Sequence, residues 1–164
     1  MLDDPFKYGL LVGLAIALLV AAFTDLRSRQ IGNKLNAAIA LGAPLFWWAS
    51  GLALWPDVAL QIGFAFAVFA VLAGLFALGA MGGGDVKLLT ALALWLEPVW
   101  FFRLLMVMAL VGGVLAVGLA AWHLKRKRKE RIDVPYGIAI ACGGLWVMSV
   151  QYGPLQSTLA GAAG

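Results

Sequence analysis

Charge is scarce in this 164-residue chain: Asp, Glu, Lys and Arg make up 12% of it, against 63% hydrophobic residues. A soluble domain carries about 25% charged residues, so an ordinary globular enzyme is excluded. Cysteine and histidine are each present once, as Cys142 and His123. That excludes a disulfide framework, a four-cysteine zinc site and a histidine-rich metal centre. No HExxH segment occurs, and neither a metal nor any other cofactor is expected. What the chain has instead is long apolar runs, with a mean hydropathy of +0.95. A transmembrane helix takes about 20 residues plus a connection, so the length accommodates at most about six or seven spans and leaves little for a soluble domain.

The runs fall at 8–24, 37–55, 58–80, 86–96, 99–124 and 136–152. They predict an all-α polytopic membrane protein, one membrane-embedded domain over 1–164 built as a bundle of six transmembrane helices. The fourth is short: 11 residues rise about 16 Å, against a hydrocarbon core of about 30 Å. Pro98 suits the first turn of the helix that follows. Ten of the twelve Lys and Arg lie after the first, third and fifth runs: Arg27, Arg29, Lys34, Lys87, and six between Lys125 and Arg131. The positive-inside bias makes that side cytoplasmic and puts both termini outside, N-out and C-out. The segment before the first run, Met1 to Lys7, is net acidic, which is wrong for a signal peptide. The basic run at 125–131 reads as a topology determinant that meets anionic lipid, and no nucleic-acid partner is expected.

Acidic residues on the basic side stand out against this partition. They are Asp25, Asp85, Glu130 and Asp133, and the first two abut apolar spans. An ionisable group at such a position is costly and tends to be functional. Taken singly, either aspartate reads as a solvated cap or a salt-bridge partner. Two carboxyls on one membrane side, each on its own helix, are what an aspartyl hydrolase needs: brought close, they cannot both ionise freely, so one holds a proton while the other activates water. Gly82, Gly83 and Gly84 precede Asp85; they are expected to give backbone freedom and to let an extended substrate approach.

Met81-Gly82-Gly83-Gly84-Asp85-Val86-Lys87-Leu88 resembles the GxGD segment of the type IV prepilin peptidases, membrane aspartyl proteases that remove the short leader from pilin precursors. Asp25-Leu26-Arg27-Ser28-Arg29-Gln30-Ile31-Gly32-Asn33 is similar to their first catalytic segment, with Gly32 where the family usually has proline. Val134-Pro135-Tyr136-Gly137-Ile138-Ala139-Ile140-Ala141 resembles the Pro-Tyr-Gly start of their last span. The three segments stand in family order. The resemblance implies that Asp25 and Asp85 are the catalytic pair, with Gly82, Gly83, Gly84, Lys87 and Asn33 as motif and backbone support. It implies a prepilin substrate with a basic leader and an apolar helix, cut at the cytoplasmic face of the inner membrane. Larger members carry a cytoplasmic domain with cysteine pairs that accompanies N-methylation. With one cysteine, this sequence looks like the compact, peptidase-only branch of tight-adherence (Flp-type) pilus systems.

Helix termini suggest the proton's position. Asp25 is expected at the carboxyl end of its helix and Asp85 at the amino end of its own, so the dipoles put the resting proton on Asp25 and make Asp85 the base. Lys87, about 200° round the helix from Asp85, is expected to point away and anchor to lipid headgroups, and Asn33 to cap a helix or to hydrogen-bond in the site, the cap being read first. Gly13, Ala17 and Ala21 form a small-residue strip toward Asp25, read first as packing between the protein's own helices. A serine protease fails, because Ser50 and His123 fall at opposite faces. The competing reading is a small proton- or cation-coupled transporter or channel subunit using the same two acids.

Overall fold

The computed structural model describes residues 5–126 and 136–152. Six α-helices account for most of them: α1 Pro5–Ser28, α2 Asn33–Ala49, α3 Ala59–Ala77, α4 Gly83–Ala93, α5 Pro98–Arg126 and α6 Tyr136–Tyr152. A wound turn, Leu54–Val58, leads into α3, and no strand occurs among the described residues. All six runs are helical, with shifted ends. The second run stops at Ala49, where Gly51, at φ +69°, turns the chain, so Trp55 belongs to the next helix's approach rather than to α2. Three segments are long and apolar enough to cross a bilayer unaided: Pro5–Ser28, Leu54–Ala77 and Pro98–Trp122. The remainder of the basic run, from residue 127 on, lies outside the described residues, as does Pro135.

The core is apolar and centred on α6, more than half of whose residues are buried. Two adjacent glycines make that possible. A Cβ on Gly143 would stand 2.9 Å from the Leu104 carbonyl of α5, and one on Gly144 would stand 2.8 Å from Leu18 of α1. Small residues therefore seat α5 and α1 on two faces of one helix, the packing device of membrane bundles. Leu18, Leu88, Leu89, Leu104, Ile140 and Val147 close the interior. In the α1 strip, Ala21 is fully buried while Gly13 is exposed, so only the inner end serves internal packing. Outside, large apolar side chains such as Leu110, Val114 and Val117 are about 70% exposed. A row of this kind on so apolar a chain is a surface made for lipid.

The short α4 ends deep in the bundle, and its last carbonyls need partners there, since neither lipid nor core supplies donors. Side chains of α2 and α3 provide them. The Gln61 amide donates to the carbonyls of Ala93 (2.7 Å) and Leu96 (2.6 Å). The Trp47 indole donates to Leu94 at 2.8 Å. In return the Trp95 indole donates to the Ile39 carbonyl of α2 at 2.8 Å, its ring lying over Gly42, where a Cβ would come within 2.7 Å. These bonds hold α4 at a fixed height, with its amino end at the opposite rim of the bundle.

Candidate active site

At that rim the end of α1, the α1–α2 loop and the start of α4 enclose an open cavity of about 630 Å³, which both Asp25 and Asp85 line. Asp25 is in the last turn of α1 and is buried. Its Oδ2 accepts the Gly137 backbone N–H at 2.8 Å, and a Cβ on Gly137 would collide with the carboxyl at the same distance. Only glycine lets the first turn of α6 approach this far. The Pro-Tyr-Gly resemblance marked this place in the sequence without giving Gly137 a task.

Asp85 occupies the third position of α4, whose N-cap is Gly82. Its carboxyl takes a hydrogen bond from the Gly82 backbone N–H, half of a capping box with no side chain returning it. Asp85 stands ahead of the apolar stretch 86–96. Burial pushes its carboxyl up to about 6, the charge of Asp25 adds to the rise, and the Gly82 amide opposes it. The two acids are thus near enough to sense one another.

One of the two uses expected of the glycine run, backbone freedom, is not taken up. Gly82 has φ −72° and ψ 141°, and among the described glycines positive φ is confined to Gly51 and Gly79, so the run uses no left-handed freedom. Closeness is what matters. A Cβ on Gly84 would stand 3.3 Å from Ile31 Cβ and 3.4 Å from the Ile31 backbone nitrogen, and one on Gly83 would stand 3.2 Å from Phe76. Bare backbone lets α4 abut the α1–α2 loop, which carries Asp25's segment to Asp85's. The strained residue is Arg29, at φ 53°, ending α1 with its N–H on the Asp25 carbonyl at 2.8 Å. An αL residue other than glycine costs about 1–2 kcal/mol, and here it turns the loop across the cavity.

Of the two roles open to Asn33, the structure shows the hydrogen bond beside the site and not the cap. The cap of α2 is Gly32, and Asn33 is its first residue. Its Oδ1 accepts from Lys87 Nζ at 2.8 Å, tying α2 to α4 beside the cavity. Lys87 thus reaches a side chain of the neighbouring helix. Gly32 has φ −62° and ψ 136°, the backbone that proline prefers, and a Cβ there meets nothing within 4 Å. Glycine at this point therefore leaves the loop's path unchanged. The helix-end argument keeps part of its footing: Asp25 is in the last turn of α1 and Asp85 in the first turn of α4, but α1 runs on to Ser28 and the amino end of α6 also faces Asp25.

The sequence profile of the type IV leader peptidase family matches residues 12–117. The chain belongs to that family. The match takes in Asp25, Asp85, the glycine run, Lys87 and Asn33, whereas Gly137 lies beyond it. No curated protein and no solved structure matches the chain. As a membrane leader peptidase, the chain gathers around one cavity two acids separated by 60 positions in the sequence.

Proposed function

We propose that this protein is an aspartyl endopeptidase that removes the leader of type IV prepilins, of the Flp type, at the cytoplasmic face of the inner membrane. The observation that carries the reading is the shared cavity with Asp25 and Asp85 in its wall, one carboxyl held by a backbone amide and the other raised by burial and by its neighbour. Six spans, with both termini outside and the basic rim inside, put that cavity where a basic leader waits.

Hydrolysis then needs no covalent intermediate. Asp25, fixed by the Gly137 N–H, takes a proton from water; Asp85 holds the proton that polarises the scissile carbonyl. This reverses the assignment drawn from helix ends. The water oxygen adds to the carbonyl carbon, the C–N bond breaks, and the amine of the new terminus leaves with a proton from the pair. Gly82–Gly84 and the Arg29–Asn33 loop line the path along which an extended substrate lies.

Co-expression with a Flp-type prepilin tests the reading. Wild type is expected to shorten the precursor by its leader, with terminal sequencing locating the cut, while Asp25→Asn and Asp85→Asn leave it whole. Cleavage by both variants, at wild-type membrane levels, overturns it.

A further inference from the structure

A second depression adjoins the first. It is a groove of about 360 Å³ between α2, α3 and α4, and its lining is almost wholly apolar. Two helix faces form its walls with matching spacing: Asn33, Asn36, Ala37 and Ala40 on α2, and Lys87, Thr90 and Ala91 on α4 with its cap Leu94, and Phe69 of α3 stands on a flank. At 1.5 Å per residue each wall runs about 10 Å. Asn33 lines both the groove and the catalytic cavity, so the two are continuous across the Asn33–Lys87 bond.

Asn36 is the anomaly. It is 5% exposed, and neither its Oδ1 nor its Nδ2 has a hydrogen-bond partner among the described residues. A primary amide offers two donors and two acceptor lone pairs, and leaving them unpaired in an apolar setting is expensive. Nothing in the helix positions requires asparagine there, since Ile39 and Ala43 on the same face are buried without difficulty.

We infer that the groove receives the apolar helix of the prepilin and that Asn36 hydrogen-bonds its backbone where the helix unwinds toward the cut. This rests on the leader-peptidase reading and gives the substrate its position. Alanines on both walls let a helix come close, and unwound backbone at membrane depth needs polar partners, which the unpaired Asn36 amide, shut off from solvent in this structure, supplies as donor and acceptor once it turns toward the occupant. A helix seated there ends at Asn33, placing the residues just before it, where a leader is joined, over the two carboxyls.

The test uses the full-length protein in membranes with a Flp-type prepilin. A photo-crosslinking residue replaces Ala40 in the groove or Val114 on the exposed face of α5, each combined with Asp25→Asn so that bound precursor survives. The expected result is a prepilin adduct from position 40 and none from position 114. In parallel, Asn36→Leu is expected to raise KM for the precursor at least fivefold with kcat within twofold, Asn36→Gln to recover part of the loss, and Asn36→Leu to melt at or above the wild-type temperature. An adduct from 114 and none from 40, or an unchanged KM, overturns the groove while wild-type cleavage keeps the peptidase reading intact. Failure of wild type to cut the precursor overturns the peptidase reading itself.

Discussion

Asp85 shows how far a residue's behaviour depends on neighbours the local sequence does not reveal. A carboxyl raised to about 6 is protonated more readily in the fold than in the unfolded chain. Its contribution to stability is fully present below about pH 4 and is lost as pH rises through 6. Asp85→Asn lacks that loss, so its melting temperature is expected to gain on wild type between pH 4 and pH 8. The gain corresponds to about 1–2 kcal/mol once the water reaching the cavity is allowed for. Activity has the same origin: with Asp85 as the acid, kcat/KM is expected to fall about tenfold per pH unit above 6. A flat profile from pH 6 to 8 contradicts the assignment. That two acids stand beside apolar runs was legible in the sequence, and the fold adds that they line one cavity. The backbone amide on Asp25 was not legible, because it comes from Gly137, 112 positions away.

At the scale of elements, α4 is the part whose form needed tertiary information. Its shortness could be read from the distance between the glycine run and Pro98. The means of tolerating that shortness could not, because Gln61 and Trp47 look in sequence like ordinary members of apolar runs. Removing the Gln61 amide deprives the carbonyls of Ala93 and Leu96 of their donor, at a cost of about 1–3 kcal/mol. Gln61→Leu is therefore expected to lower the melting temperature measurably in detergent. If it melts as wild type does, α4 does not depend on that cap. The glycine run was likewise found by sequence, but of its two expected uses the left-handed backbone freedom is not taken up. Its residues stand at ordinary negative φ, and bare surface is what brings Gly84 against Ile31.

For the molecule as a whole, periodic patterning was of little use, since helices in lipid are apolar all round. Run length and the distribution of cations carried the reading, and all six runs became helices. The ends moved wherever a turn such as that at Gly51 was hidden inside apolar sequence. The proposed orientation has a direct consequence. In intact cells lacking Cys142, an impermeant thiol reagent is expected to label Asp57→Cys and to spare Lys34→Cys; the opposite pattern reverses the topology. Such a reversal puts the cavity on the wrong side for a cytoplasmic leader.

The central claim is that two carboxyls act as one unit, and groups that do so are strongly non-additive when removed. The most direct measurement is kcat/KM for prepilin cleavage by purified wild type, Asp25→Asn, Asp85→Asn and the double variant, with the new terminus sequenced. Each single substitution is expected to lower it by at least about 10⁴-fold, and the double variant to be no worse than either. A single variant within tenfold of wild type, or losses that multiply in the double variant, contradicts the claim.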